Sequence, residues 1–212
     1  MNRRFFLIIS FLALFIISCK KDKEFPVSSK NYFPLNNGRT WTYSQLLRFG
    51  DMKEYDMRDT GKVYVKDTTI SGKSLNIFKD EGMPAYFLRD VRVKKENGTY
   101  YRLNHFSEVA SGEWIPFLRD KCSKGDFWQT SKDQYGNYRK FEVKNVYDEY
   151  NVAGKVYKDV VEIRETYIPT EGLRVMELTF MYANNIGLIY SYLPYPESFT
   201  YADVTYELLD NK

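Results

Sequence analysis

Few residues of this chain are of kinds that do chemistry on their own. It holds one histidine, His105, and two cysteines, Cys19 and Cys122. A Ser-His-Asp or Cys-His apparatus would have to use His105, which sits in Leu103-Asn104-His105-Phe106 beside an apolar run. Cys122 lies in the polar stretch Asp120-Lys121-Cys122-Ser123-Lys124-Gly125, and no third group is spaced to orient such a pair. Structural roles are the simpler reading of both. One histidine and one spare cysteine cannot build the usual zinc site, and calcium loops and the Gly-x-Ser-x-Gly elbow are absent from the sequence. Asp67-Thr68-Thr69-Ile70-Ser71-Gly72-Lys73-Ser74 resembles the end of a phosphate-binding loop. Asp67 stands where its first glycine belongs, however, and strand formers follow where a helix N-terminus is needed. A hairpin turn explains it better, as it does the sequon-like Asn97-Gly98-Thr99. No catalytic residue, metal or cofactor is therefore expected. Carboxylates converging in space are the one enzymatic chemistry left open, and nothing singles out a pair.

The residue with the most specific setting is Cys19. Met1-Asn2-Arg3-Arg4 is basic, Phe5 to Ile17 carries no charge, and Ser18-Cys19-Lys20-Lys21-Asp22 follows. The apolar run is shorter than the roughly 18–20 residues that span a bilayer, so residues 1–18 read as a lipoprotein signal peptide. On that reading the Cys19 thiol takes a diacylglycerol, and cleavage makes Cys19 the lipidated N-terminus, carrying acyl chains of the palmitate kind. Two chains hold a protein firmly where one gives marginal binding. Residues 19–30, with Pro26, Ser28 and Ser29, read as a flexible tether, and 31–212 as a single β-rich domain. The expected partner is thus a membrane, reached through Cys19. The leader takes Arg3 and Arg4 from the 31 basic residues, leaving about one charge more than the 28 acidic ones. That balance excludes an electrostatic nucleic-acid partner, which needs a clustered basic face.

Nineteen tyrosines and fifteen phenylalanines favour strands. Alternation agrees in Val91-Arg92-Val93-Lys94, Phe141-Glu142-Val143-Lys144, Met176 to Tyr182, and Val204-Thr205-Tyr206-Glu207-Leu208. Turn signals separate the runs: Ser71-Gly72, Asn97-Gly98, Ala153-Gly154, and Asn184-Asn185 followed by Gly187. The expected fold class is all-β or β-rich, a curved antiparallel sheet or half-barrel of consecutive hairpins with little helix. Leu46 to Arg58 offers the one short helical stretch, interrupted by Gly50, and Phe106–Ser123 reads as a loop. Gly38-Arg39-Thr40-Trp41 and Gly125-Asp126-Phe127-Trp128 each precede two hairpins, an echo that suggests two related half-sheets or convergent hairpin chemistry. Trp41 and Trp128 begin strands and read as core anchors, whereas Trp114 falls in a loop where ligand contact is as reasonable as packing.

Three segments carry a resemblance: Tyr32-Phe33-Pro34-Leu35-Asn36-Asn37-Gly38-Arg39-Thr40-Trp41-Thr42-Tyr43, Gly154 to Val161, and Tyr182-Ala183-Asn184-Asn185-Ile186-Gly187-Leu188-Ile189, with Asn185 in place of a glycine. Together with the closing Tyr206-Glu207-Leu208-Leu209, they make the chain resemble a family of uncharacterised outer-membrane lipoproteins common in Bacteroidota. That resemblance implies a Cys-anchored, β-rich protein akin to the half-barrel of lipoprotein carriers, at the outer membrane. The function expected from these readings is a cell-envelope lipoprotein acting as a non-catalytic binding or accessory protein. Its ligand would be apolar or a glycan, or its partner an envelope protein. Met176, Leu178, Phe180, Val204, Tyr206 and Leu208 would line the concave face, with Trp114 as a loop contact. The alternatives are a carboxylate-dependent hydrolase of envelope polymer or glycan, and a structural subunit of an envelope complex.

Overall fold

The computed structural model describes residues 30–48, 57–70, 73–82, 91–103, 113–133, 135–170, 175–194 and 203–212; between 57 and 82, side chains are described at Thr60, Val63 and Val65 alone. Every regular element among the described residues is a strand: β1 (Thr40–Arg48), β2 (Met57–Ile70), β3 (Lys73–Gly82), β4 (Arg92–Glu96), β5 (Thr99–Leu103), β6 (Ile115–Arg119), β7 (Phe127–Gln129), β8 (Tyr138–Val152), β9 (Lys155–Ile168), β10 (Met176–Ala183), β11 (Gly187–Leu193) and β12 (Asp203–Asn211). They form one antiparallel sheet in the order β6-β5-β4-β3-β2-β1-β12-β11-β10-β9-β8-β7. Two meanders of six strands are thus joined at the centre by the pairing of the first and last strands.

Local chemistry explains the hairpins. Asn97 and Gly98 both take positive φ, 49° and 74°, the two-residue turn whose twist matches antiparallel strands. Ala153 and Gly154 repeat it between β8 and β9. In the β10–β11 turn, Asn185 adopts φ 61°, so asparagine supplies the left-handed backbone expected of a glycine there. Ser71-Gly72 lies outside the described residues, but Ile70 pairs with Lys73 on either side of it. That hairpin register, Asp67 opposite Asn76, rules out a phosphate-binding loop followed by a helix. Two expectations need correction. Leu46–Arg48 and Met57–Arg58 are strand, because cross-strand pairing with β12 and β2 outweighs the weak local helical preference. The Phe106–Ser123 segment contains β6, whose Ile115, Phe117 and Leu118 are buried.

The echo around the two Gly-x-x-Trp stretches is structural. The Gly38 amide donates to Val65 O at 2.9 Å and the Val65 amide to Arg39 O at 2.8 Å; the Gly125 amide donates to Val143 O at 2.9 Å and the Val143 amide to Asp126 O at 2.8 Å. Trp41 then pairs with Val63 and Trp128 with Phe141, the same offset in both halves. β1–β6 and β7–β12 are therefore equivalent in order and register at their starts.

The sheet is strongly curled but not closed. Arg102 on β5 touches Glu165 on β9, which the sheet order separates by seven strands, so both side chains project from the concave face. Pairing carries that face across the sheet: Glu165 shares parity with Ile163, Ile163 pairs with Phe180, Phe180 with Ser191, Ser191 with Tyr206 and Tyr206 with Gln45. No ladder joins the edge strands β6 and β7 among the described residues. A side chain spans the gap instead, with Trp128 Nε1 donating to Pro116 O at 2.8 Å.

Connections alternate between the two ends of the curl. One end carries the tight turns, the 120–126 link and the segment entering β1; the other carries the longer links 49–56, 83–91, 104–114, 130–137, 169–175 and 194–202. The turn end is filled by Tyr32 and Phe33. The Phe33 ring meets Trp41 at 6.3 Å, Phe117 at 5.4 Å and Tyr182 at 5.8 Å, so one residue packs against both meanders. Asn31 fixes the segment: its amide donates to Asn184 Oδ1, its carbonyl accepts from the Asn185 amide, and its Oδ1 accepts from the Tyr100 hydroxyl. Trp41 Nε1 donates to Ile186 O at 2.7 Å. A Cβ on Gly187 would lie 3.1 Å from that nitrogen, and φ there is 108°, so glycine is required twice over.

Candidate functional site

The concave face changes character towards the loop end. One inward row holds Gln45, Tyr206, Ser191, Phe180, Ile163 and Val143 on β1, β12, β11, β10, β9 and β8. The next row, two residues along each strand, holds Leu47, Val204, Leu193, Leu178, Glu165 and Phe141. Parity of an ordinary amphipathic strand places Glu165 here, on the same side as Val161 and Ile163, and makes a carboxylate part of the interior.

Glu165 is 0% exposed and accepts two charge-assisted hydrogen bonds at Oε1, from Arg102 Nη2 at 2.6 Å and Arg139 Nη1 at 2.6 Å. Burial pushes its carboxyl up, but the charges and hydrogen bonds of Arg102 and Arg139 outweigh this and hold it below the ordinary carboxylate range. The Arg139 guanidinium stacks 5.2 Å from the Tyr167 ring and that of Arg102 lies 5.8 Å from Phe117. The cluster ties β5 of one meander to β8 and β9 of the other, across the interior and beside the open seam. An ionised carboxylate held this way accepts hydrogen bonds and does not serve as a general acid.

The buried polar atoms on this face with no hydrogen-bond partner among the described residues include Glu165 Oε2, Gln45 Oε1 and Ser191 Oγ. Gln45 is 6% and Ser191 0% exposed. Leaving such an atom unpaired costs about 1–3 kcal/mol.

Of the residues expected to line the concave face, Phe180, Val204, Tyr206 and Leu208 lie in the hydrophobic core, and Leu178 packs half-buried against it. Met176 is half-buried at the start of β10. All six share the inward parity of their strands. Trp114 does not join them: it lies half-buried just before β6, its ring 4.7 Å from the Lys94 ammonium. Lys94 is on the convex side, opposite in parity to the buried Val93. Trp41 and Trp128 are both core residues. Cys122 is half-buried, its thiol donating to Arg119 O at 3.1 Å, and burial pushes its pKa up to about 11, which makes it a poor nucleophile. Cys19 and His105 lie outside the described residues. No group of three or more His, Cys, Asp or Glu side chains among the described residues is placed to hold a metal ion.

Sequence reasoning passed over Arg102, Arg139, Glu165, Gln45 and Ser191. The signal for Glu165 was present, since it continues the Val161, Ile163 parity with a charge. Its partners come from strands far away in sequence, which no local pattern reveals.

No family model matches the chain, and no curated protein does. Among solved structures, the chain is similar to a proposed exported protein with a YmcC-like fold from Bacteroides fragilis, at 10% identity and a TM-score of 0.48, covering 86% of this chain and 99% of that one. It is also similar to a proposed lipoprotein from Parabacteroides distasonis, at 11% identity and a TM-score of 0.45, with the same coverage of each chain.

Proposed function

We propose that this protein is a cell-envelope lipoprotein, anchored at the outer membrane through Cys19, whose curled sheet acts as a non-catalytic binding module for a small ligand carrying an apolar part. The observation that carries the binding role is the composition of the concave face towards the loop end. There half-buried Leu47, Leu178 and Met176 adjoin buried polar atoms that the protein leaves unpaired. A face that served packing alone would favour apolar residues at Gln45 and Ser191, because unpaired polar atoms weaken a core. The anchor rests on the run from Arg3-Arg4 through Phe5–Ile17 to Ser18-Cys19. Cys19→Ala tests it in cells given a labelled fatty acid. The parent should take up label and fractionate with membranes, and the variant should lose the label and leave the membrane fraction. Labelling and membrane retention equal to the parent's would defeat the lipoprotein reading.

A further inference from the structure

We infer that the turn end of the curled sheet rests against the headgroups of the anchoring bilayer, and that the loop end opens away from it towards water. This rests on the lipid anchor proposed above and adds to it an orientation and a route of access. The segment entering β1 is fixed at the turn end. Lys30 Nζ donates to Asp159 Oδ1 at 2.8 Å, the Asn31 amide donates to Asn184 Oδ1, and the Asn31 carbonyl accepts from the Asn185 amide. Cys19 precedes Lys30 by eleven residues. A chain of that length reaches about 38 Å when fully extended and spans about 18 Å on average when flexible. From the Asn184-Asn185 turn, the eight residues of β10 carry the sheet roughly 26 Å further to the loop end. With the turn end down, the tether keeps its ordinary span. With the loop end down, it would have to run the height of the sheet before reaching the membrane, well beyond that span. The turn-end surface suits the first arrangement. Asn36, Asn37, Lys121, Ser123 and Lys124 are exposed there, and such polar groups fit hydrated headgroups rather than acyl chains. Leu47, Leu178 and Met176, half-buried nearer the loop end, then face away from the bilayer, so an apolar ligand enters from the aqueous side and is not drawn directly out of the anchoring leaflet.

The test uses the mature chain inserted into preformed vesicles of phosphatidylethanolamine and phosphatidylglycerol, with an energy-transfer acceptor on a fraction of the headgroups. Cys122→Ser removes the free thiol. A donor dye is then carried by Ala153→Cys at the turn end or by Tyr135→Cys at the loop end, both exposed positions where the melting temperature should match the parent's. The Ala153→Cys donor should lose most of its fluorescence and the Tyr135→Cys donor should keep most of its own. Lengthening the tether by about fifteen glycine and serine residues after Ser29 raises its mean span to about 28 Å, and the contrast between the two donors should shrink. Equal losses with the original tether, or a greater loss at Tyr135→Cys, would overturn the orientation and leave the anchor standing. A contrast that survives the longer tether undiminished would overturn the tether as its cause. Protein that does not float with the vesicles would overturn the anchor and the orientation together.

Discussion

The two ends of the curled sheet are built on opposite principles. At the turn end, connections are short and large aromatic side chains have their polar atoms paired: Trp41 Nε1 with Ile186 O, the Tyr43 hydroxyl with Leu188 O, and the Tyr100 hydroxyl with Asn31 and Asp120. At the loop end, connections are longer, a carboxylate and two guanidiniums enter the interior, and Gln45, Ser191 and Glu165 keep unpaired atoms. The first arrangement gives stability and a unique register. The second gives stability away, which is the usual mark of a region held for something other than folding.

Substitutions at each end should break or sharpen that contrast. Phe33→Ala, at the turn end, removes the ring shared by both meanders and should cost about 3–5 kcal/mol in denaturant unfolding. A loss under about 1 kcal/mol would mean that the turn end is not the stable one. Glu165→Ala strands two guanidiniums and should cost about 3 kcal/mol, the low end for a broken buried cluster because Arg139 keeps some solvent. It should also change the pH profile. With the folded carboxyl held below its unfolded value of about 4.3, its contribution is present above that pH and disappears as pH falls through the folded value. The parent should therefore lose stability with falling pH below about 5, and Glu165→Ala should lose less over the same range; parallel profiles would show that Glu165 is not the titrating group. Trp128→Phe keeps the stacking on Phe141 but deletes the donor to Pro116 O, and should cost about 1 kcal/mol. Hydrogen exchange should show that loss concentrated in β6 and β7; a uniform effect would mean that the seam is no weaker than the rest. Asn185→Gly, in a turn already left-handed, should shift stability by less than about 0.5 kcal/mol. A larger change would reveal a role for the asparagine side chain itself.

Sequence reading succeeded where the determining contacts are local. Asn97-Gly98 and Ala153-Gly154 announce turns because few other residue pairs take that backbone, and the alternation in Val204 to Leu208 announces a half-buried strand because parity is fixed by the pleat. The echo around Trp41 and Trp128 was visible as residues, but its meaning needed the matched hydrogen bonds of Gly38 with Val65 and Gly125 with Val143. β6 was missed because a five-residue strand containing Pro116 carries little pattern of its own and owes its place to β5. The concave face was assigned the right parity in β10 and β12, yet its charged part was not foreseen. Arg102, Arg139 and Glu165 meet only after ten strands have been laid between the open edges.

The pairing of β1 with β12 has a further consequence for chain order. The backbone of Thr40 exchanges both of its hydrogen bonds with Lys212, at 2.9 and 3.0 Å, so the last residue of the chain sits beside the start of the first strand. Read from β7 round to β6, the spatial order is an uninterrupted run in which every strand neighbours its successor. The protein is thus a circular permutation of a plain twelve-strand meander, with the covalent break moved from the seam to the middle of the sheet. Each six-strand half can assemble from near neighbours, but the junction between them joins residues as far apart as Trp41 and Asn211. Contacts of such separation form late. The β1–β12 ladder is therefore the pairing that joins the two hairpin arrays at the centre of the sheet.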